Sequence, residues 1–325
     1  GQAALVTGAA GQDGTILATL LAREGADVVG LVKPGTDASL LLRYAPGTAI
    51  VECDLGDAGA LRSAVLEAAP DELYNLGGFT APGESWHHQE EVRRINIDAV
   101  ATLLDALQAL PGTRLFQASS ASIFEGVDVS PQTERSRRAP QTPYAQSKSE
   151  AMDLVNRARA DRGAFAVCGI LYNHESPLRG EGFVTRRISR AVARIAAGQQ
   201  DVLELGDVET ARDWGWAPDY VRGMMLMLRA DVPHDYVLAT GISHRLSFFL
   251  AKAFRAAGID DWRPHVVSTS DRTRSGDTNI LVGDSRAAYL ELGWRHTVDF
   301  DSMAGLMVAH DMALLDDADA LWQIP

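Results

Sequence analysis

The sequence holds 325 residues, 46% of them hydrophobic, and carries a formal net charge of −13. That is ample apolar material for a large buried core in one compact unit of two lobes, and an acidic balance that argues against nucleic acid as a partner, because a phosphate backbone rewards clustered Lys and Arg. With no run of eighteen apolar residues, and a first segment that reads as a core strand rather than a charged-then-apolar leader, the expectation is a cytoplasmic protein with no membrane span and no export signal.

The chain opens on a short buried strand, Ala3-Ala4-Leu5-Val6-Thr7, followed at once by Gly8-Ala9-Ala10-Gly11-Gln12-Asp13-Gly14 and an apolar helix from Thr15 to Glu24. Glycines at every third position let the backbone turn tightly, approach a pyrophosphate and seat the helix on the strand, while the helix start offers free N–H groups to the anion. The spacing is G-x-x-G-x-x-G rather than G-x-G-x-x-G, so Gly8, Gly11, Gln12, Asp13 and Gly14 read as a dinucleotide-binding turn by context more than by the usual fingerprint.

A second strand, Asp27 to Val32, ends at Lys33, where an NAD-selective site places Asp or Glu against the ribose hydroxyls. A cation suits a 2′-phosphate better, which leans the cofactor toward NADP over NAD with Arg43 as a second contact; the other reading of Lys33 is a solvated loop residue. The strand Ala49 to Cys53 delivers Asp54 and Leu55 to the adenine edge, and Glu72 to Leu76 delivers Gly77 and Gly78, whose missing side chains let backbone reach the cofactor. Phe79, just beyond, either reshapes a substrate pocket or fills core space.

From Val92 to Leu110 the apolar positions trace one broad helical face. A second long helix runs from Tyr144 to Ala160, and two such helices side by side could pair with the same two of another subunit, giving a homodimer or a dimer of dimers. Between them the serine-rich strand end Ala118-Ser119-Ser120-Ala121-Ser122 precedes Tyr144-Ala-Gln-Ser-Lys148. Tyr144 and Lys148 stand at i and i+4 and share a helix face. A free phenol titrates near pH ~10, and a nearby ammonium lowers that value, so Tyr144 becomes a usable acid or base, with Ser120 hydrogen-bonding the same substrate oxygen. Such a trio moves a proton on or off a hydroxyl while a nicotinamide moves the hydride on or off its carbon.

Strand and helix alternate through Leu171, which predicts an α/β fold: a doubly wound parallel sheet in a Rossmann-type dinucleotide domain (1–171), with a smaller C-terminal, mainly nucleotide-sugar-binding lobe (172–325), some of which could return to the sheet. In that lobe the helix-like stretches are 184–198, 219–229 and 247–257. Loop arginines in Ala211-Arg212-Asp213-Trp214 and Arg272-Thr273-Arg274-Ser275-Gly276-Asp277 suit a diphosphate. Cys53 and Cys168 lie in apolar strand-like stretches and read as reduced, buried thiols, and the eight histidines show no ligand-like spacing, so no metal is expected.

Over nearly its whole length the chain resembles the extended short-chain dehydrogenase/reductases, and among them the GDP-mannose 4,6-dehydratases. The resemblance rests on Leu5-Val6-Thr7-Gly8, Gly11-Gln12-Asp13-Gly14, Tyr74-Asn75-Leu76-Gly77, Asn173-His174-Glu175-Ser176-Pro177, the run from Phe183 to Arg190, and Arg212-Asp213-Trp214-Gly215. It implies a nucleoside-diphosphate-sugar substrate, GDP-sugar favoured, and a tightly held NAD(P) that oxidises the sugar at C4. It puts Leu76 and Gly77 at the cofactor, and Asn173, Val184, Arg187, Arg212, Arg274 and Asp277 at nucleotide and diphosphate. Asp277 stands in for a glutamate of the family and Asn279 for an aspartate.

One departure bears on the chemistry. The dehydratases carry a glutamate two residues after the catalytic Ser/Thr, which takes the C5 proton and helps water leave from C6; this chain has Ser120-Ala121-Ser122. A serine hydroxyl is too weakly basic for that role. The expectation is therefore oxidation and re-reduction at C4 without water loss, as in a nucleotide-sugar C4 epimerase. Its rivals are a 4-ketoreductase consuming NADPH, a residual dehydratase using Glu125 or a water, and, from another class, a non-catalytic dinucleotide or sugar-nucleotide sensor.

Overall fold

The computed structural model describes residues 1–269 and 281–325. Six strands come in sequence order, β1 (Ala3–Thr7), β2 (Asp27–Val32), β3 (Ala49–Glu52), β4 (Glu72–Asn75), β5 (Arg114–Ser120) and β6 (Ala166–Leu171). The chain then passes through a short strand β7 (Asn173–Glu175), which pairs in parallel with β8 (Trp214–Trp216), and returns as β9 (Tyr236–Leu238) beside β6. The resulting seven-stranded sheet has the order β9-β6-β5-β4-β1-β2-β3, with every neighbour parallel. This is the doubly wound architecture expected, and the strand contributed by the second half shows that the sheet draws on both halves of the sequence.

Burial follows the two-residue period of a strand sandwiched between helix layers. Ala4, Val6, Tyr74, Phe116 and Val167 enter one core cluster with α1 (Gln12–Arg23) and with the later helix Ala217–Leu228. Their neighbours Leu5, Leu73, Leu115, Ala166 and Cys168 enter the other with α2 (Ala58–Ala68) and with the helices Ala99–Ala106 and Pro143–Arg162.

The helix expected over 92–110 starts at Gln89 and is not regular. A first piece, α3 (Gln89–Arg93), leads into a π turn, Arg94–Asp98, before α4 (Ala99–Ala106) resumes. One extra residue in a turn rotates the rest of the helix about its axis, and such turns concentrate at functional sites; here it turns Asn96 inward to 3% exposure. Alongside runs α5 (Pro143–Arg162), started by the Thr142 side chain accepting from Ala145 N and ended by Gly163 in the left-handed region.

The second lobe has its own core. Ile188 and Val192 of α6 (Val184–Ala196) meet Phe249, Leu250 and Phe254 of the helix Leu246–Ala256, and Met303, Met307 and Val308 of the helix Phe300–Asp316. Helix α7 (Ala217–Leu228) lies between these in the chain but belongs to the sheet side, with Tyr220 and Met224 in the first cluster. The two helices that complete this core with α6 are α8 (Leu246–Ala256) and α9 (Phe300–Asp316). Between α6 and α9 a buried guanidinium, Arg186, forks onto Asp311, with Nε 3.0 Å from Oδ1 and Nη2 2.8 Å from Oδ1, while Ser189 Oγ donates to Oδ2 at 2.5 Å. Among the described residues no helix is long and apolar enough to cross a membrane, and no group of three or more His, Cys, Asp or Glu could hold a metal ion. Cys53 and Cys168 are buried and unpaired.

Candidate active site

The carboxyl ends of β1 and β4 come together at the glycine turn. Gly8 has φ of +62°, and a Cβ there would lie 2.7 Å from Gly77 N; one on Gly14 would lie 2.4 Å from Gly8 O. Only glycine closes this turn without moving backbone. Thr7 Oγ1 locks the two strand ends, donating to Asn75 Oδ1 at 2.6 Å and accepting from Gly77 N at 2.9 Å. Gly11 caps α1, whose first N–H groups carry the positive end of the helix dipole. The tight Gly8–Gly77 cradle and that open helix start fit the pyrophosphate of a dinucleotide.

Leu55 closes on this cradle: its Cδ1 is 2.7 Å from where a Gly77 Cβ would stand. Asp54 caps its own loop, accepting from Gly56 N at 2.9 Å, and faces Arg94 Nη1 at 3.4 Å. Lys33 is exposed just past β2. Arg43, expected as a second phosphate contact, is instead held by the C-terminal tail, 3.4 Å from the Asp319 carboxylate and donating to the Asp319 carbonyl.

On the far side of β4, β5 ends at Ser120, whose Oγ accepts from Ser122 N at 3.1 Å. The Ser120 hydroxyl lies near enough to the Tyr144 phenol to favour its ionised form. Lys148 is 8% exposed and donates from Nζ to Ala118 O at 3.2 Å, with Nζ 5.7 Å from the Tyr144 ring centre. Ser120, Tyr144 and Lys148 thus converge at the carboxyl end of β5. Asn96 closes the group from the π turn: its Oδ1 accepts from Phe79 N at 2.8 Å and its Nδ2 donates to Ser147 Oγ at 3.0 Å. A Cβ on Gly78 would meet Asn96 Oδ1 at 2.9 Å and Lys148 Nζ at 3.7 Å. Phe79 itself leans on His88, ring centres 5.9 Å apart.

The electrostatics differ from the simple picture of a lysine-lowered phenol. Burial raises Tyr144 above its ordinary value, the Ser120 hydroxyl and the Arg179 charge work against that, and Glu125 adds to it. Burial brings Lys148 down to about 8. Glu125 lies three residues beyond Ser122 and is partly buried, accepting from Gln141 N at 3.2 Å. Burial raises its carboxyl, opposed by that hydrogen bond and by the charge of Arg212. Ser122 Oγ is buried with no hydrogen-bond partner among the described residues.

Of the substrate-lobe candidates, Asn173 is exposed at the start of β7, register partner of Trp214, two residues past Arg212. Arg212 is partly buried, with Nη1 on Ala211 O at 2.8 Å. Val184 begins α6, and Arg187, in the same first turn, is exposed and reaches Glu204 O at 3.1 Å. Arg274, Asp277 and Asn279 lie outside the described residues.

Sequence reasoning passed over three residues at this site: Asn96, Arg179, and His174 as a partner of the glycine turn. Arg179 pairs with Glu175 at 3.0 Å and stacks its guanidinium 3.5 Å over Phe183. His174 Nε2 lies 2.6 Å from Asp13 Oδ2. The string Asn173-His174-Glu175-Ser176-Pro177 was a usable signal, since a charged pair inside an otherwise buried run needs a partner.

The sequence model of a family described as GDP-mannose 4,6 dehydratase matches residues 5–307. The chain is 36% identical over 338 residues to GDP-mannose 4,6 dehydratase 1 of Arabidopsis thaliana, covering 96% of this chain and 90% of that protein. It is 36% identical to GDP-mannose 4,6-dehydratase of Sinorhizobium fredii (96% and 97% covered) and 35% identical to GDP-mannose 4,6 dehydratase of Homo sapiens (96% and 92%). In fold it is similar to a UDP-glucose 4-epimerase from Thermotoga maritima solved with UDP-glucose, with a TM-score of 0.85 at 19% identity and 97% and 100% coverage. It is also similar to dTDP-glucose 4,6-dehydratase from Bacillus anthracis in complex with NAD, at 0.82, 16%, and 98% of each chain.

Proposed function

This chain belongs to the GDP-mannose 4,6-dehydratase family, and from that premise we propose that it is an NAD(P)-dependent enzyme that oxidises a nucleoside-diphosphate sugar, GDP-sugar favoured, at C4 and then removes water across C5 and C6. The observation that carries this reading over simple C4 epimerisation is Glu125. Its carboxyl is partly buried, acts electrostatically on Tyr144 and feels the charge of Arg212. A carboxyl raised above its ordinary range is a stronger base when ionised and can return the proton it takes.

A bound nicotinamide supplies the hydride acceptor for C4 and the hydride donor for C6. The glycine cradle of Gly8, Gly11, Gly14 and Gly77 holds the pyrophosphate, Lys33 stands nearest a 2′-phosphate, and Asn173, Arg187 and Arg212 receive the substrate nucleotide and diphosphate. Tyr144 takes the C4 hydroxyl proton while Ser120 hydrogen-bonds that oxygen. The resulting ketone acidifies C5–H. Glu125 takes that proton and delivers it to the C6 hydroxyl, which leaves as water, and the proton held by Tyr144 returns to C5. Lys148 supplies a positive charge beside these transfers, and Asn96 holds the Gly78–Phe79 backbone against α5.

A second reading, C4 epimerisation, is favoured by Ser122, a side chain without basicity two residues after Ser120. Incubation of the protein with GDP-mannose separates the two: a product lighter by one water supports dehydration, and a product of unchanged mass supports the epimerase.

A further inference from the structure

The glycine turn carries an acid at an awkward place. Asp13 is the second residue of α1, beside the N–H groups where a pyrophosphate would sit, and an ionised carboxylate there repels the incoming anion. The structure supplies a counter-charge from a strand 161 residues away. His174 of β7 is 9% exposed; its Nε2 is 2.6 Å from Asp13 Oδ2 and its Nδ1 is 2.7 Å from Tyr172 O. Both ring nitrogens face acceptors. A neutral imidazole has one N–H, so beside an ionised Asp13, which His174 holds below its ordinary value, one of these contacts would oppose two lone pairs; only the doubly protonated ring then satisfies both.

Two further side chains act on the ring. Tyr220 of α7 stacks on it with centres 4.8 Å apart, and burial holds that phenol far above its ordinary value, so it stays neutral. Arg179 is the other cation in range, engaged with Glu175 at 3.0 Å. Burial works against the imidazolium and Arg179 does too, yet the Asp13 charge and hydrogen bond outweigh them and hold His174 above its usual value. Asp13 moves the opposite way, its burial cost overcome by His174. A second contact braces the same join: Gln12 Nε2 donates to His174 O at 3.1 Å and Ser176 Oγ donates to Gln12 Oε1 at 2.7 Å.

We propose that the Asp13–His174 pair is a positioning element that keeps the glycine turn receptive to a dinucleotide pyrophosphate, and that it does so only while the imidazole carries its second proton. His174 touches neither reacting atom; it cancels the Asp13 charge and ties the phosphate turn to the strand that begins with Asn173. Cofactor retention is then pH-dependent: tight while His174 is protonated, weaker as pH rises through its elevated value. By reciprocity a bound dinucleotide strengthens the pair and stabilises the imidazolium. The inference rests on the proposed dinucleotide-binding role of this turn.

The test is the dissociation constant of NADPH and of NADH across neutral to alkaline pH for the full chain and for His174→Gln, Asp13→Asn and the double variant, each checked for a cooperative urea transition. The wild type is expected to lose affinity by about tenfold, an ordinary coupling between two sites. His174→Gln is expected to bind weakly with a flat profile, and the double variant to recover toward the wild-type value because the uncompensated carboxylate is gone. A wild-type profile that is flat, a slope that His174→Gln retains, or a double variant no better than His174→Gln overturns the proposal while leaving dinucleotide binding intact. Absence of binding to either dinucleotide at every pH overturns the functional reading and this inference together.

Discussion

Tyr144 and Lys148 stand one helical turn apart on α5, the ammonium nitrogen lying 5.7 Å from the phenol ring centre while it donates to Ala118 O at 3.2 Å. Lysine and tyrosine therefore meet at the strand end within cation–π range of each other. If Tyr144 is the group that takes the C4 proton, Tyr144→Phe lowers kcat by ~10²–10⁴-fold. Dinucleotide affinity, measured by titration, stays close to the wild type, because the lost hydroxyl does not belong to the glycine cradle.

The pH profile of turnover carries two signatures. Lys148, brought down to about 8 by burial, is an ammonium below that pH and neutral above it, so the contribution of its charge is lost as pH rises through about 8. Glu125, raised by burial, must be ionised to act as a base, so its contribution is lost as pH falls through a value above the ordinary carboxylate range. The expected kcat profile is a bell, and Glu125→Gln removes the acid limb while leaving the alkaline one.

Gly8→Ala tests the cradle. The left-handed φ of +62° costs about 1–2 kcal/mol for any residue with a Cβ, and that Cβ would stand 2.7 Å from Gly77 N. The expected result is a lower Tm and loss of dinucleotide binding, whereas Gly47→Ala, where an added Cβ meets nothing within 4 Å, leaves both near the wild type.

Stability of the second lobe depends on Arg186 and Asp311. Asp311→Ala strands a buried guanidinium, which costs about 3–5 kcal/mol, and urea unfolding should show it. The paired replacement Arg186→Met with Asp311→Leu is expected to cost much less, since it leaves no unpaired charge behind.

The sheet was legible because its strands are buried on both faces and punctuated by glycine, so Leu5-Val6-Thr7-Gly8 and Tyr74-Asn75-Leu76-Gly77 announce both their type and their C-terminal turns. Ser120, Tyr144 and Lys148 were legible for the same local reason, a strand end and an i, i+4 pair on one helix. The features that stayed hidden depend on contacts across the chain. The π turn at Arg94–Asp98 shifts helical phase by a single residue, which no periodicity over 92–110 betrays. The partnership of Asp13 with His174 joins α1 to β7 over 161 residues. The capture of Arg43 by Asp319 depends on where the C-terminal tail lies. Glu125 stands in the sequence only as one rival base, and its hydrogen bond from Gln141 N, three residues ahead of Tyr144, depends on the fold.

The most direct test of the proposed chemistry is the mass spectrum of the product formed from GDP-mannose in D2O. Removal of water through proton transfer at C5 predicts a product lighter by one water that carries solvent deuterium at C5, and no such product from Glu125→Gln. A sugar nucleotide of unchanged mass, without deuterium on carbon, would contradict the account and return the protein to C4 epimerisation.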